Sequence, residues 1–184
     1  MDHFIDIKVL PDPEFNATTL MNALYAKLHR GLVTLQNESL GVSFPAAGKT
    51  PGDLLRLHGT KPDLERLMEL NWIKGLGDYT ATTELQLVPA DLQQVRIRRI
   101  QSKMTAARIR RSVARNTDKS LDEQQATELL EKRQPLKLPY LMLKSQSTGQ
   151  QFPLHFEQKA VGTEAVSGTF NSYGFSQTAT LPWF

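Results

Sequence analysis

Residues 1–35 read MDHFIDIKVLPDPEFNATTLMNALYAKLHRGLVTL, and two different hydrophobic periods follow one another within them. In residues 4–9, Ile5, Ile7 and Val9 alternate with Asp6 and Lys8; a two-residue period specifies a half-buried strand. Pro11-Asp12-Pro13 closes it, because proline has no N–H to offer a ladder. Leu20, Leu24, Leu28 and Leu32 then return at intervals of four, a stripe that packs one face of a helix on a sheet as far as about Leu35, with Thr18 or Thr19 as cap. Working outward, short strands are expected at residues 40–44 and 54–58, a helix over residues 62–70 whose first turn suits Pro62, and a strand at residues 84–88 before Pro89. The order β-α-β-β-α-β predicts an α+β chain whose first half is ferredoxin-like, an arrangement that RNA-recognition domains also use. Order alone does not fix function.

The rest of the chain follows another pattern. Residues 94–101 suit a strand or an extended arm, and Thr105 can cap a helix to about Asn116. Ser120 and Glu123 have capping-box spacing, so a second helix is expected from there to about Lys132, ahead of Pro135. Residues 138–144 and 151–157 read as paired strands around Ser145-Gln-Ser-Thr-Gly149, and residues 169–173 as a last strand. The expected division is an N-terminal domain of residues 1–93 and a smaller C-terminal α/β domain of residues 94–184 that carries an Arg-rich helix.

Composition narrows the function classes. The chain has 184 residues, 40% of them apolar, enough for a core, and it has no cysteine, which excludes disulfides and thiolate metal sites and fits a reducing compartment such as the cytoplasm. Acidic residues stand at the N-terminus where a signal peptide needs basic ones, and no apolar run reaches membrane-spanning length, so no membrane partner is expected. The net charge of +3 is unevenly spread. Across residues 92–117 there is no Asp or Glu, while Arg96, Arg98, Arg99, Lys103, Arg108, Arg110, Arg111 and Arg115 give eight positive charges; the remainder of the chain therefore sums to −5. Eight cations of one sign, mostly arginine, are the footprint of a polyanion partner rather than of an ordinary solvated face. On a helical wheel Arg108, Arg111 and Arg115 share one sector and Ile109 and Val113 another, so one face is cationic and the other docked. Such a helix suits the groove of a short RNA hairpin, whose deep groove opens at its ends.

Single residues say less. His29 lies one position beyond the leucine stripe and should emerge beside the buried face, where a lone histidine is ordinarily a surface residue. Ser145 and Ser147 fit turn chemistry, Tyr173 between Ser172 and Gly174 fits a strand aromatic, and the final Leu-Pro-Trp-Phe fits a C-terminal plug. Asp2, His3 and Asp6 do not suggest a metal site, because alternation puts His3 on the opposite face from both acids.

Together these items match a pattern. MDHFIDIKVLPDPEF, LMNALYAKLHRGL around His29, GVSFP at 41–45, KSQSTGQQF at 144–152, SYGFSQ at 172–177 and the terminal PWF resemble the subtype I-F CRISPR repeat endoribonucleases. The resemblance implies a ferredoxin-like domain joined to a smaller domain whose Arg-rich helix, with Lys103, Arg108, Arg110, Arg111 and Arg115, enters the groove of the repeat stem-loop. It implies that His29 is the catalytic base, that Ser145 orients the cleaved nucleotide with Ser147 in the same pocket, and that Tyr173 holds His29. Arg99 and Gln101 would read base edges near the foot of the stem, and Phe152 would stack beneath it. The chemistry agrees: RNA supplies its own 2′-hydroxyl nucleophile, so a base, an aligner and a cation suffice, giving a 2′,3′-cyclic phosphate and a 5′-hydroxyl without metal or cofactor. Expected partners are the CRISPR repeat stem-loop RNA and the other subunits of the type I-F surveillance complex. The alternatives are a non-catalytic RNA-binding module and a basic structural subunit of a ribonucleoprotein.

Overall fold

The structure, a computed structural model, describes residues 1–101, 106–114, 122–131, 136–145 and 148–184. Compactness divides it into a unit of residues 1–100 with 138–184 and a unit of residues 101–137.

In the first unit, β1 (His3–Val9), α1 (Ala17–Leu35), β2 (Gly41–Ser43), β3 (Leu54–Gly59), α2 (Lys61–Glu69) and β4 (Thr80–Thr82) follow the expected order. Their sheet runs β2-β3-β1-β4, with β5 (Gln86–Leu87) also on β1, and all pairs are antiparallel. This is the ferredoxin-like arrangement, and the protein is α+β. The expected strand at residues 84–88 is the second half of an interrupted edge that begins earlier, at Thr80. Asn16, not Thr18 or Thr19, caps α1: its Oδ1 accepts the Thr19 N–H at 2.9 Å. Leu20, Leu24, Leu28 and Leu32 are buried as their spacing requires, and with Ile5, Ile7, Leu55 and Leu57 they belong to one core.

The outer face of this sheet is not left to water. Arg56 is only 7% exposed and holds both oxygens of Asp6, at 2.7 and 2.8 Å. Its third nitrogen donates to the Phe184 backbone oxygen at 2.7 Å, and the Phe184 ring lies 3.8 Å from the guanidinium carbon. The terminal aromatic is thus a plug in the literal sense. Beside it Gly41 meets Leu181 so closely that a Cβ would stand 2.4 Å from Leu181 Cδ2.

The second sheet runs β7-β8-β6-β9, antiparallel throughout, from β6 (Gln93–Ile100), β7 (Tyr140–Lys144), β8 (Gln151–Gly162) and β9 (Leu181–Trp183). Residues 169–173 form no strand; that part of the chain is a loop, and the last strand lies further on. Val95, Ile97, Leu141, Leu143, Leu154 and Phe156 join the same core as the first sheet, and Phe44 stacks on Phe156 at 4.5 Å. Each such ring, fully buried, contributes about 1.5–3 kcal/mol. The Gln158 amide also takes the Phe44 N–H and donates to the Phe44 carbonyl, both at 3.0 Å, so one side chain extends the strand pairing from sheet to sheet. Sheet membership changes between β5 and β6, whereas compactness sets residues 101–137 apart.

The second unit carries α3 (Ala106–Ala114) and α4 (Glu123–Glu131). Ile109 is buried and Arg110 and Arg111 are exposed, as an amphipathic helix requires. Asp122 and Gln125 form a capping box at the start of α4: Asp122 Oδ1 accepts the Gln125 N–H at 2.7 Å, and Gln125 Oε1 accepts the Asp122 N–H at 3.4 Å. Thr105, Ser120 and the side chain of Glu123, expected as caps, lie outside the described residues.

Candidate functional site

Within the first unit, α1 is docked from two directions. Asn22 Oδ1 accepts the Met142 N–H at 2.9 Å, fastening β7 to the helix, and the loop of residues 171–175 closes against the turn that bears Tyr25 and His29. That loop is tightly built. Asn171 Oδ1 accepts the N–H groups of Tyr173 and Phe175 at 2.9 and 3.2 Å, and the Asn171 carbonyl accepts the Gly174 N–H at 2.7 Å. Gly174 has φ +69°, and its carbonyl accepts the Val42 N–H at 3.0 Å. A Cβ there would lie 2.3 Å from Val42 Cγ2, so both conformation and space call for glycine. Phe175 is buried at the far end.

The loop presents its backbone to the histidine. His29 Nδ1 is 2.7 Å from the Ser172 carbonyl oxygen. A carbonyl can only accept, so Nδ1 carries the proton and, in the neutral ring, Nε2 holds the lone pair. The Tyr173 ring stacks on the imidazole with centroids 4.3 Å apart and planes inclined by 8°. His29 is half-buried, at the margin of the leucine stripe, where its sequence position put it. Tyr25 is fully buried, and burial first, with Tyr173 nearby second, raises its hydroxyl well above the ordinary tyrosine range. It remains protonated and donates to the Tyr173 carbonyl at 2.5 Å.

Arg99 reaches the same place from β6. Register pairs it with Phe156, on the inward face, and its guanidinium carbon lies 5.4 Å from the Tyr173 ring and 5.8 Å from the Phe152 ring. Phe152 pairs with Leu143 across the β7–β8 hairpin, and alternation sets Ser145 on the face of Leu143. Ser145 begins the hairpin turn: its N–H donates to the Gln150 carbonyl at 2.9 Å, its carbonyl accepts the Gly149 N–H at 2.9 Å, and its Oγ accepts the Thr148 N–H at 3.3 Å. His29, Tyr173, Arg99 and Phe152 therefore form one chain of ring and cation contacts, and Ser145 stands on the adjoining hairpin.

The other expected residues lie elsewhere. Gln101 is exposed just beyond β6, and Arg110 and Arg111 are exposed on α3. Lys103, Arg115 and Ser147, and the side chain of Arg108, lie outside the described residues. Among the described residues no group of three or more His, Asp or Glu side chains is placed to hold a metal ion; Asp6 is bound to Arg56, and His3 Nδ1 is 3.1 Å from Asp2. A cleft of about 750 Å³ lined by Gln94, Val166, Phe170 and Thr180 contains none of the residues discussed in this section. Among the described residues no helix is long and apolar enough to cross a membrane. Sequence reasoning missed Tyr25, Asn171 and the Ser172 carbonyl. The four-residue spacing of Tyr25 and His29, and an Asn two residues before a Tyr-Gly pair, were the available signals.

A ferredoxin-like sheet packed into one core with a second antiparallel sheet, with a histidine held by a backbone carbonyl at their margin, defines a class of chain; comparison with known proteins supplies the family. Residues 4–184 match the family model described as CRISPR-associated protein (Cas_Csy4), and the chain belongs to that family. The CRISPR-associated endonuclease Cas6/Csy4 of Escherichia coli (strain UTI89 / UPEC) is 43% identical over 187 residues, covering 100% of both chains. The protein of the same name from Pseudomonas aeruginosa (strain UCBPP-PA14) is 36% identical over 187 residues, again covering 100% of both. Among solved structures, Thermus thermophilus Cse3 bound to an RNA representing a pre-cleavage complex aligns with 99% of this chain and 100% of its own, at 15% identity and a TM-score of 0.40.

Proposed function

We propose that this protein is the endoribonuclease that matures CRISPR precursor RNA in a type I-F system: it binds the repeat stem-loop and cuts at the 3′ base of the stem by attack of the adjacent 2′-hydroxyl. The observation that carries the reading is the hydrogen bond from His29 Nδ1 to the Ser172 carbonyl, which leaves Nε2 of a half-buried imidazole as a base. Nε2 takes the 2′-hydroxyl proton, the oxygen attacks the phosphorus, and the 5′-oxygen of the next nucleotide leaves. The products are a 2′,3′-cyclic phosphate and a 5′-hydroxyl. Arg99, beside Tyr173, offers a cation for phosphate charge or a fork for a base edge, and Phe152 a ring for the foot of the stem. Ser145 aligns the reacting nucleotide and Tyr173 holds the base. Ser147 serves the same pocket. Gln101 reads a base edge, and Lys103, Arg108, Arg110, Arg111 and Arg115 grip the stem. Family membership supports the CRISPR setting, and the names of the two relatives support an endonuclease. After cleavage the protein stays on its product hairpin as a subunit of the surveillance complex.

The test is a labelled repeat RNA incubated with the protein in EDTA, with the product ends analysed. A cyclic phosphate and a 5′-hydroxyl are expected. A substrate carrying a single 2′-deoxy substitution at the cut should bind and stay intact; its cleavage would mean that water attacks, and the mechanism would fall. A hairpin bound tightly and never cut would leave a non-catalytic RNA-binding subunit.

A further inference from the structure

Tyr25 and His29 lie one turn apart on α1, and they engage two successive carbonyls of one loop. The Tyr25 hydroxyl donates to the Tyr173 oxygen at 2.5 Å, and His29 Nδ1 donates to the Ser172 oxygen at 2.7 Å. Successive carbonyls of an extended chain point in opposite directions, so both can meet one helix face only where the backbone turns. The left-handed Gly174 and the Asn171 side chain make that turn. From this geometry we infer that Tyr25 is a positioning residue for His29: its hydroxyl fixes the Tyr173–Gly174 peptide and, through the Tyr173 Cα, restrains the adjoining Ser172–Tyr173 peptide whose oxygen meets Nδ1, and so determines which imidazole nitrogen is left as the base. The catalytic half of this inference rests on the endoribonuclease reading; the tautomer half does not.

Three observations carry it. Tyr25 is fully buried, with its ring centroid 5.7 Å from that of Phe44 and 6.1 Å from that of Phe175, so close packing restrains its hydroxyl. The oxygen it holds belongs to Tyr173, the residue whose ring stacks on the imidazole and whose N-terminal peptide supplies the Ser172 oxygen, so one hydrogen bond bears on both the ring above His29 and the acceptor at Nδ1. The loop's other anchors lie at Asn171 and at the Gly174 contact with Val42, on either side of that peptide. Without the hydroxyl, the Tyr173 carbonyl loses its donor, and a rotation of the Tyr173–Gly174 peptide toward water would change the backbone angles at Tyr173 and so draw the neighbouring Ser172 oxygen off Nδ1. The imidazole would then be free to place its proton on either nitrogen, and a protonated Nε2 cannot accept one from a 2′-hydroxyl.

Tyr25→Phe keeps the ring and removes the bond. Histidine ¹⁵N spectra of the RNA-free full chain should show His29 protonated at Nδ1 in the wild type and a mixture of tautomers in the variant. Single-turnover cleavage of the repeat hairpin should slow by about 10- to 100-fold, the loss expected of a base displaced by about an ångström, with hairpin affinity changed by less than about two-fold. An unchanged ¹⁵N pattern together with an unchanged rate overturns the inference. His29→Ala is assayed in parallel: if it cleaves normally the endoribonuclease mechanism fails, while the tautomer measurement still decides the role of Tyr25. Should Tyr25→Phe not fold, Asn171→Ala releases the same loop from an exposed position, and the same two readouts apply.

Discussion

Gly174→Ala is a one-methyl change at the contact between the loop and β2, and its effect can be worked from the structure. At φ +69° an alanine is strained by about 1–2 kcal/mol relative to glycine. Its Cβ would also stand 2.3 Å from Val42 Cγ2, and Val42 is fully buried in β2, so the side chain has nowhere to go. Overpacking of this kind costs about 1–3 kcal/mol. The sum, about 2–5 kcal/mol, is a large share of an ordinary domain's stability and corresponds to a fall in Tm of roughly 4–20 °C for a chain of this size. Strain is relieved if the loop lifts from β2, which draws Ser172 from His29, so cleavage should slow by about 100-fold at temperatures where the variant is still folded. Thermal unfolding and single-turnover cleavage read the two effects. Val42→Ala in the same chain removes the worst contact, at Cγ2, while a tight 3.0 Å approach to the residue-42 Cβ and the strained φ remain, so the double variant should be more stable than the two single losses predict. A Tm within about 2 °C of the wild type, with normal cleavage, would refute the reasoning, because neither strain nor clash would then be real.

The remaining predictions are shorter. His29→Ala should reduce cleavage by roughly 100- to 10,000-fold with hairpin affinity kept, as loss of a general base requires, measured by single-turnover rates beside binding titrations. Arg110→Gln and Arg111→Gln should each weaken hairpin binding and, where the guanidinium meets a phosphate, reduce the slope of log K against log salt by about one; unchanged slopes in both would remove α3 from the interface. His58 is fully buried, and burial, followed by the Arg56 charge, lowers its pKa to about 3 from 6.5. Both states are neutral there above pH 6.5, and below it the unfolded chain takes the proton first, so stability falls as pH drops through the window from 6.5 toward 3, by about 1.4 kcal/mol per unit. Urea midpoints at pH 7, 6 and 5 should show that slope in the wild type, and His58→Gln should flatten it.

The first half of the fold was legible because each element carried its own period. The leucine stripe of α1 and the alternation of β1 each specify a face, and with the β-α-β-β-α-β order that is enough for the ferredoxin-like sheet. What was not legible depends on contacts distant in sequence. Residues 169–173 have strand-like composition, yet they loop because Asn171 takes two amides of its own turn and Gly174 is drawn against Val42. The outer face of the first sheet looked half-solvated, since nothing in residues 1–60 announces that Phe184 will cover Arg56. The candidate site divided in the same way. His29 was recognisable by type and by family resemblance, but its proton is placed by a backbone carbonyl, and a carbonyl has no letter in a sequence.

The cover over that outer face also sets a timetable. A ribosome delivers β1 to β3 long before it delivers Phe170, Leu181 and Phe184, and at ordinary elongation rates of about 5–20 residues per second the interval is roughly ten seconds. During it, Gly41 has no Leu181 above it, and Arg56 has the Phe4 ring but neither the ring nor the backbone oxygen of Phe184. The nascent half-sheet can pair its strands and pack α1, but one side of it is still wet, and the loop that orients His29 has not been synthesised. A chain arrested in translation within that interval would carry His29 without the Ser172 carbonyl that takes its Nδ1 proton, however well its first half had folded.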